Sequence, residues 1–93
     1  MRVEEVLDAI QQKCMEHGAE KIILFGSRAK GTAMERSDID IAVSGVEDMD
    51  ELEEALWMIP TLYKIDLVDL DHCRNDLLME DIVQYGRKIW EKI

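Results

Sequence analysis

Two aspartates separated by one residue are the strongest chemical feature of the sequence. Asp38 and Asp40 flank Ile39 at the start of the apolar run IDIAV. Because side chains alternate between the two faces of a strand, we expect both carboxylates on one face, opposite Ile39 and Ile41. Two adjacent acids repel each other unless a cation lies between them. A hard divalent cation such as Mg²⁺, bound by carboxylates and by the phosphate oxygens of a substrate, would remove that repulsion.

A third carboxylate is expected from the run YKIDLVDL at residues 63–70. If Ile65 and Leu67 face the core, Asp66 faces the site and Asp69 faces away, although a β-bulge would reverse this assignment. Three acids around two metal ions, roughly 3.5–4 Å apart, can activate an attacking oxygen and stabilise a leaving pyrophosphate. The predicted metal-binding and catalytic residues are therefore Asp38, Asp40 and Asp66.

A phosphate-binding turn is predicted directly after the apolar run KIILF at residues 21–25. Gly26 would let a phosphate approach the backbone, and Ser27 offers a hydroxyl group and N–H donors at the start of an expected short helix. Arg28 would add a guanidinium that suits phosphate geometry, with a solvated side chain as the alternative interpretation. The predicted nucleotide-binding residues are Gly26, Ser27 and Arg28.

The elements that must position these residues follow from hydrophobic periodicity and from Gly and Pro breaks. We expect helices over residues 3–16, 49–59 and 76–85, and strands over residues 21–25, 39–43, 63–70 and 88–90. In the last helix, the inward residues are predicted to be Leu77, Ile82 and Tyr85. This order predicts an α/β (α+β) fold, with a mixed sheet of three to four strands and helices packed on one face. The whole chain, residues 1–93, is expected to be one domain.

Composition limits the classes of partner. The chain has 21 acidic and 11 basic residues and a net charge of -10. A polyanionic nucleic acid is therefore not expected as a direct partner, because phosphate neutralisation needs Lys and Arg. Divalent cations or a basic protein surface fit this charge better, and a solvated acidic face is the alternative interpretation.

The cysteine content and the hydropathy of the sequence indicate its cellular compartment. Two cysteines and the absence of a long apolar run indicate a cytoplasmic protein that does not enter a membrane. His72 and Cys73 adjoin each other, but no second such pair accompanies them. We therefore expect a structural loop after the third strand rather than a zinc site.

The segment GSRAKGTAMERSDIDIAV, taken as a whole, resembles the nucleotidyltransferase superfamily typified by DNA polymerase β. It is similar in particular to the minimal nucleotidyltransferase (MNT) branch, and the resemblance spans nearly the whole chain. It implies that Gly26 and Ser27 hold the triphosphate, that Asp38 and Asp40 are the paired metal ligands, and that Asp66 helps to deprotonate the acceptor hydroxyl. Compared with larger members, we expect this chain to lack their C-terminal acceptor-binding domain.

The resemblance also implies a function and a partner. MNT proteins are typically paired with a HEPN-domain ribonuclease as a toxin–antitoxin couple, in which the nucleotidyltransferase is the antitoxin and transfers AMP from ATP to a tyrosine of the toxin. This implies ATP as substrate, two Mg²⁺ ions with Mn²⁺ as an alternative, and a hetero-oligomer with a HEPN-domain toxin. Two alternatives stay open: an antitoxin that acts by nucleotide binding or contact alone, and a small-molecule (antibiotic) nucleotidyltransferase.

Overall fold

The computed structural model describes residues 2–92, so that Met1 and Ile93, the two ends of the expected domain, lie outside the described residues. The helices and strands alternate along the chain in the order predicted from periodicity. Their bounds are α1 Val3–Glu16, β1 Lys21–Phe25, α2 Ser27–Lys30, β2 Ile39–Ser44, α3 Met49–Trp57, β3 Ile65–Asp69, α4 Asp76–Tyr85 and β4 Arg87–Glu91.

The four strands form one mixed sheet in the order β3-β2-β1-β4. The pairs β1–β2 and β1–β4 are antiparallel, whereas β2 and β3 are parallel. Parallel neighbours need a crossover connection, and α3 provides it between β2 and β3. The mixed sheet of the sequence prediction is confirmed, with β3 and β4 at its two edges.

One face of the sheet packs against α1 and α3. Both helices place apolar residues at helical spacing, and these side chains meet the alternate apolar residues of β1 and β2. The fully buried members of this core include Ile10, Ile22, Ile39, Ile41 and Leu52. Burying each of these side chains contributes about 1.5–3 kcal/mol. This face therefore holds β2 firmly, and with it the orientation of the residues that alternate between its core positions.

The opposite face is covered in part by α4, which corrects the expectation that all helices pack on one face. Ile82 of α4 is buried in a second cluster with Phe25 and Ala42 of the sheet. Phe25 at the end of β1 and Ala42 within β2 carry apolar side chains on this face, and α4 removes them from water. The sheet is therefore enclosed between helices on both faces, with α4 leaving part of its face open.

The inward residues of α4 agree with the prediction at Ile82 and differ from it at Leu77 and Tyr85. Leu78 lies four residues before Ile82 and packs with it, because residues four apart share a helix face. Leu77, predicted to face inward, is 80% exposed, and Tyr85 is 47% exposed. Among residues 2–92, none of the helices has the length and apolar character required to cross a lipid bilayer.

The two thiols differ in burial, which predicts different reactivity. Cys14 lies in the core, where burial raises its pKa to about 12, whereas Cys73 is partly exposed. Since the thiolate is the reactive form, we expect iodoacetamide to modify Cys14 about a hundredfold more slowly than Cys73 in the native protein, and equally fast after unfolding. Mass spectrometry of the modified peptides measures both rates. Equal rates in the native state would contradict the position of Cys14 in the core.

Candidate active site

Parallel pairing of β2 and β3 brings two of the predicted carboxylates together. Asp40 is the register partner of Asp66, so both side chains project from the same face of the sheet. This is the face that α4 covers in part, and the carboxylates lie on the open portion. Asp38 precedes β2 and is exposed. Asp69 lies further along β3, where its carboxylate accepts a hydrogen bond from the backbone of Asp71 instead.

The negative charge of Asp40 lies in an unfavourable environment. Partial burial raises the pKa of Asp40, and the charge and hydrogen-bonding contact of Asp66 raise it further, with a smaller contribution from Asp38. Lys64 opposes this shift, with its Nζ 3.7 Å from Asp66 Oδ1. The ammonium group is largely exposed and therefore weakly effective. A cation placed between Asp40 and Asp66 would remove the repulsion that remains.

Gly26 lies directly against the Asp40 carboxylate. Its φ of 73° is in the region that favours glycine, and it forms the N-cap of α2. A Cβ at this position would overlap Asp40 Oδ2 and lie 3.1 Å from Asp40 Cγ. Both the backbone conformation and the neighbouring carboxylate therefore require glycine here. As a result, the turn that begins with Ser27 lies next to the acids.

The donor set fits a hard divalent cation only in combination with a substrate. Among residues 2–92, no group of three His, Cys, Asp or Glu side chains is already assembled as a metal site. Two adjacent carboxylates do, however, suit Mg²⁺, which is usually bound by one or two carboxylates together with substrate phosphates. Asp40 and Asp66 would hold the ion, and Asp38 lies close enough to raise the pKa of Asp40.

The DHC segment, by contrast, forms a turn after β3. His72 Nδ1 is 2.7 Å from Asp69 Oδ2, which raises the pKa of the imidazole. Cys73 Sγ lies 4.0 Å from the carbonyl oxygen of Asn75. These contacts account for the segment as a structural turn.

Arg28 is bound to the protein itself. Its Nη2 and Nε atoms donate to the carbonyl oxygen of Ser37, at 2.7 and 3.2 Å, and Nη2 also lies 3.3 Å from the carbonyl oxygen of Glu35. The guanidinium carbon lies 5.0 Å from the centre of the Tyr63 ring. Arg28 therefore joins α2 to the loop that leads into Asp38 and to the segment before β3. These contacts position the loop, and none of the three hydrogen bonds uses Nη1, so that the phosphate contact of Arg28 stays a prediction.

Three further residues near the site were not singled out by sequence reasoning. Lys64 lies two residues before Asp66, and this spacing in an extended segment could have indicated a shared face. Tyr63 contacts Arg28 from a segment 35 positions later in the sequence. Ser37 contacts Arg28 through its backbone carbonyl. No local pattern reports a contact of either kind.

The Gly-Ser turn, the carboxylate pair and the mixed sheet together define a nucleotidyltransferase-type domain. The profile of the family described as "Polymerase beta, Nucleotidyltransferase" matches residues 8–92. The chain therefore belongs to the polymerase beta nucleotidyltransferase family, and the resemblance drawn from the sequence is confirmed.

The individual proteins similar to this chain include a protein adenylyltransferase and two toxin–antitoxin structures. Protein adenylyltransferase MntA of Shewanella oneidensis is 35% identical over 75 residues, which cover 74% of this chain and 52% of that protein. The chain thus spans about half the length of this curated relative. A crystal structure of a toxin–antitoxin with AMP-PNP matches with a TM-score of 0.68 and 28% identity, covering 91% of this chain and 73% of that one. A mutant of the toxin–antitoxin MntA-HpeT matches with a TM-score of 0.67 and 26% identity over the same shares.

The role of Arg28 can be tested with a variant that keeps its charge. Arg28→Lys keeps the charge but loses the planar fork of N–H donors, so we expect a loss of about 1–2 kcal/mol in the free energy of unfolding of the nucleotide-free protein. We also expect faster amide exchange in residues 32–38. Urea unfolding and hydrogen exchange measure these effects, with Arg74→Lys, a change at an exposed arginine, as control. Unchanged stability combined with weaker ATP binding would show instead that the guanidinium serves the nucleotide.

The repulsion at Asp40 predicts an unusual effect on stability. Because the folded-state pKa of Asp40 is raised, its charged form destabilises the native state at neutral pH, and this penalty disappears as the pH falls and the group is protonated. In EDTA at pH 7 we expect Asp40→Asn to gain up to about 1 kcal/mol, or roughly 4–8 °C in Tm. The gain should vanish near the ordinary carboxyl pKa.

Calorimetry of Asp40→Asn at both pH values measures this, with Asp8→Asn, a change at an exposed aspartate of α1, as the control. Addition of MgATP should raise the Tm of the wild type more than that of Asp40→Asn. A lower Tm for Asp40→Asn in EDTA would contradict the proposed repulsion.

Proposed function

We propose that this chain is a Mg²⁺-dependent nucleotidyltransferase that transfers AMP from ATP to a tyrosine hydroxyl of a HEPN-domain ribonuclease toxin and so acts as its antitoxin. The observation that carries the proposal is the contact between Asp40 and Asp66 beside Gly26. Two carboxylates and a glycine turn at one point of a sheet can bring a cation, a polyphosphate and an attacking hydroxyl together.

The comparisons support the class of reaction and of partner. One relative is named a protein adenylyltransferase, and two matched structures are toxin–antitoxin assemblies, one of them containing AMP-PNP, an analogue of ATP. The net charge of -10 favours a basic partner surface, such as the RNA-binding face of a ribonuclease, over nucleic acid itself. We place the pair in the cytoplasm, where ATP is available and thiols such as those of Cys14 and Cys73 stay reduced.

Each residue of the site has a distinct role in the proposed reaction. Gly26 and Ser27 would bind the β- and γ-phosphates through backbone N–H groups, and Asp38, Asp40 and Asp66 would hold Mg²⁺. When bound, Mg²⁺ neutralises charge on the triphosphate and on the leaving pyrophosphate. Asp66 orients the acceptor hydroxyl and accepts its proton. The hydroxyl oxygen bonds to the α-phosphorus as the bond to the bridging oxygen of pyrophosphate breaks, without a covalent enzyme intermediate.

A contact-only antitoxin is the second candidate function, and one observation favours it. The net charge of -10 would let an acidic surface dock on a basic partner whether or not AMP is transferred. The two candidates differ in whether label moves from ATP to the partner. An antibiotic acceptor is less well supported, since two of the matched structures described above are toxin–antitoxin assemblies.

The proposal predicts transfer of label to the partner. The chain is co-expressed with a HEPN-domain toxin and incubated with α-³²P-ATP and Mg²⁺, and labelled protein is resolved by electrophoresis and mass spectrometry. We expect one or more AMP groups on tyrosine, and Asp38→Asn or Asp40→Asn should lower the rate roughly 10²-fold or more, because each removes a ligand that stabilises charge in the transition state.

The matched control is again Asp8→Asn, which should transfer label at the wild-type rate. Label that persists undiminished in both site variants would eliminate the assignment of the metal ligands. Complete absence of label, with a folded chain that still binds the toxin and suppresses its ribonuclease activity, would establish the contact-only function.

A further inference from the structure

A groove of about 420 Å³ leads from the surface of α3 to the candidate active site. Its walls are formed by Glu53 and Trp57 of α3 and by Tyr63, Lys64 and Asp66 before and within β3. Asp66 is the register partner of Asp40, so the groove borders the candidate site along β3. The groove is therefore continuous with the site and offers an approach for an acceptor.

One wall of the groove is an unpaired strand edge. Within residues 2–92, β2 is the only strand that pairs with β3. Ile39 donates its N–H to the carbonyl of Lys64, and Leu70 donates to the carbonyl of Val43. Even-numbered residues of β3 therefore direct their backbone groups towards β2, and the N–H groups of Ile65 and Leu67 point outwards. Such an edge is a template for an added strand.

The far end of the groove has an apolar anchor surrounded by acids. The Trp57 side chain is 73% exposed at the end of α3. Glu53 lies one turn earlier on the same helix face, and the exposed acids of α3 continue with Asp50, Glu51 and Glu54. Lys64 is the single basic residue of the groove. An exposed tryptophan inside a negative surface fits a chain that carries both apolar and basic side chains.

We propose that this groove binds an extended, basic segment of the acceptor protein, which adds to the outer edge of β3 as a strand and presents its hydroxyl residue to Asp66. The inference rests on the proposed transferase function and specifies how that site recognises its acceptor. On an added strand, a residue that faces the same side as Asp66 has its Cβ about 4.5–5.5 Å from that of its neighbour, with diagonal positions within reach of a tyrosine. Backbone pairing would supply affinity, and the acids of α3 would supply the preference for Lys and Arg.

Other occupants fit the groove less well. Nucleic acid would place phosphates against the acids of α3. A second copy of the chain would bring together two molecules that each carry a net charge of -10. The exposed acids of α3 beside the groove and the open strand edge together favour a basic polypeptide.

The experiment uses a synthetic peptide of about nine residues in which one tyrosine is flanked by alternating Lys and Val, and the same peptide with Glu in place of Lys. Backbone resonances of the ¹⁵N-labelled full chain are followed by NMR during titration. We expect the Lys peptide to shift resonances of Trp57 and β3, and to slow hydrogen exchange of the Ile65 and Leu67 amides, which exchange fast in the free protein. The Glu peptide should bind at least about tenfold more weakly.

Variants of the chain and of the peptide test the two contacts separately. Trp57→Ala should weaken binding about tenfold, whereas Leu77→Ala, a matched truncation of an exposed side chain on α4, should have no effect. N-methylation of alternate peptide residues should abolish binding when it blocks one backbone edge and leave it intact when it blocks the other.

The outcomes separate this inference from the proposed function. Shifts centred on α4 or β4, equal binding of both peptides, or no binding would overturn the groove as the acceptor site, and so would slow exchange of the Ile65 and Leu67 amides in a self-associated chain without peptide. Binding of MgATP is followed in the same spectra through Gly26 and Ser27. If MgATP binds and labels the toxin while neither peptide binds, the acceptor groove is wrong and the transferase stands. If the Lys peptide binds as expected but no AMP is transferred in the toxin assay, the groove stands as a binding surface and the transferase is wrong.

Discussion

The repulsion between Asp40 and Asp66 is the interaction on which the rest of the site depends. Parallel pairing of β2 and β3 fixes the two carboxylates side by side, and partial burial makes their charge more unfavourable. The sheet can hold them there because the alternate residues of β2, Ile39 and Ile41, are fully buried on the other face. Hydrophobic burial on one side of the strand thus offsets electrostatic cost on the other, which is a common arrangement at functional sites.

The surrounding elements limit how far this site can relax. Gly26 is in contact with Asp40, so the turn cannot carry a side chain that would displace the carboxylate. Arg28 ties the loop before Asp38 to α2, and Lys30 forms an ion pair with Asp81 at 2.7 Å that ties α2 to α4. The short helix is therefore held from two sides, and the candidate nucleotide-binding turn is positioned by contacts within the protein. Preorganisation of this kind lowers the cost of assembling a reactive geometry when substrates bind.

The sequence predicted the structure correctly where the spacing of apolar residues alone is sufficient to decide it. The two-residue period of β2 and β3 was sufficient to separate Asp66 from Asp69, and the mixed sheet followed from the order of apolar runs. It was less accurate where tertiary packing selects among neighbours. Leu77 and Leu78 are equally apolar, and only the position of α4 over Phe25 makes Leu78 the half-buried one. The hydrogen bonds from Arg28 to backbone carbonyls could not be predicted from the sequence either. Every residue has a carbonyl group, so the residue type does not show which one is contacted.

The crossover between β2 and β3 has a consequence for how the protein acquires its site. Gly26 and Asp40 come together through the antiparallel β1–β2 pair, which is close in sequence, but Asp66 joins them only after α3 has returned the chain to the sheet. Parallel pairing across such a connection closes a long loop before its contacts stabilise it, and is therefore slow compared with hairpin formation. During synthesis the glycine turn and the first acids can be in place before residue 66 has been added. The candidate site is therefore completed late in folding. It forms only when the crossover between β2 and β3 has closed in the correct register.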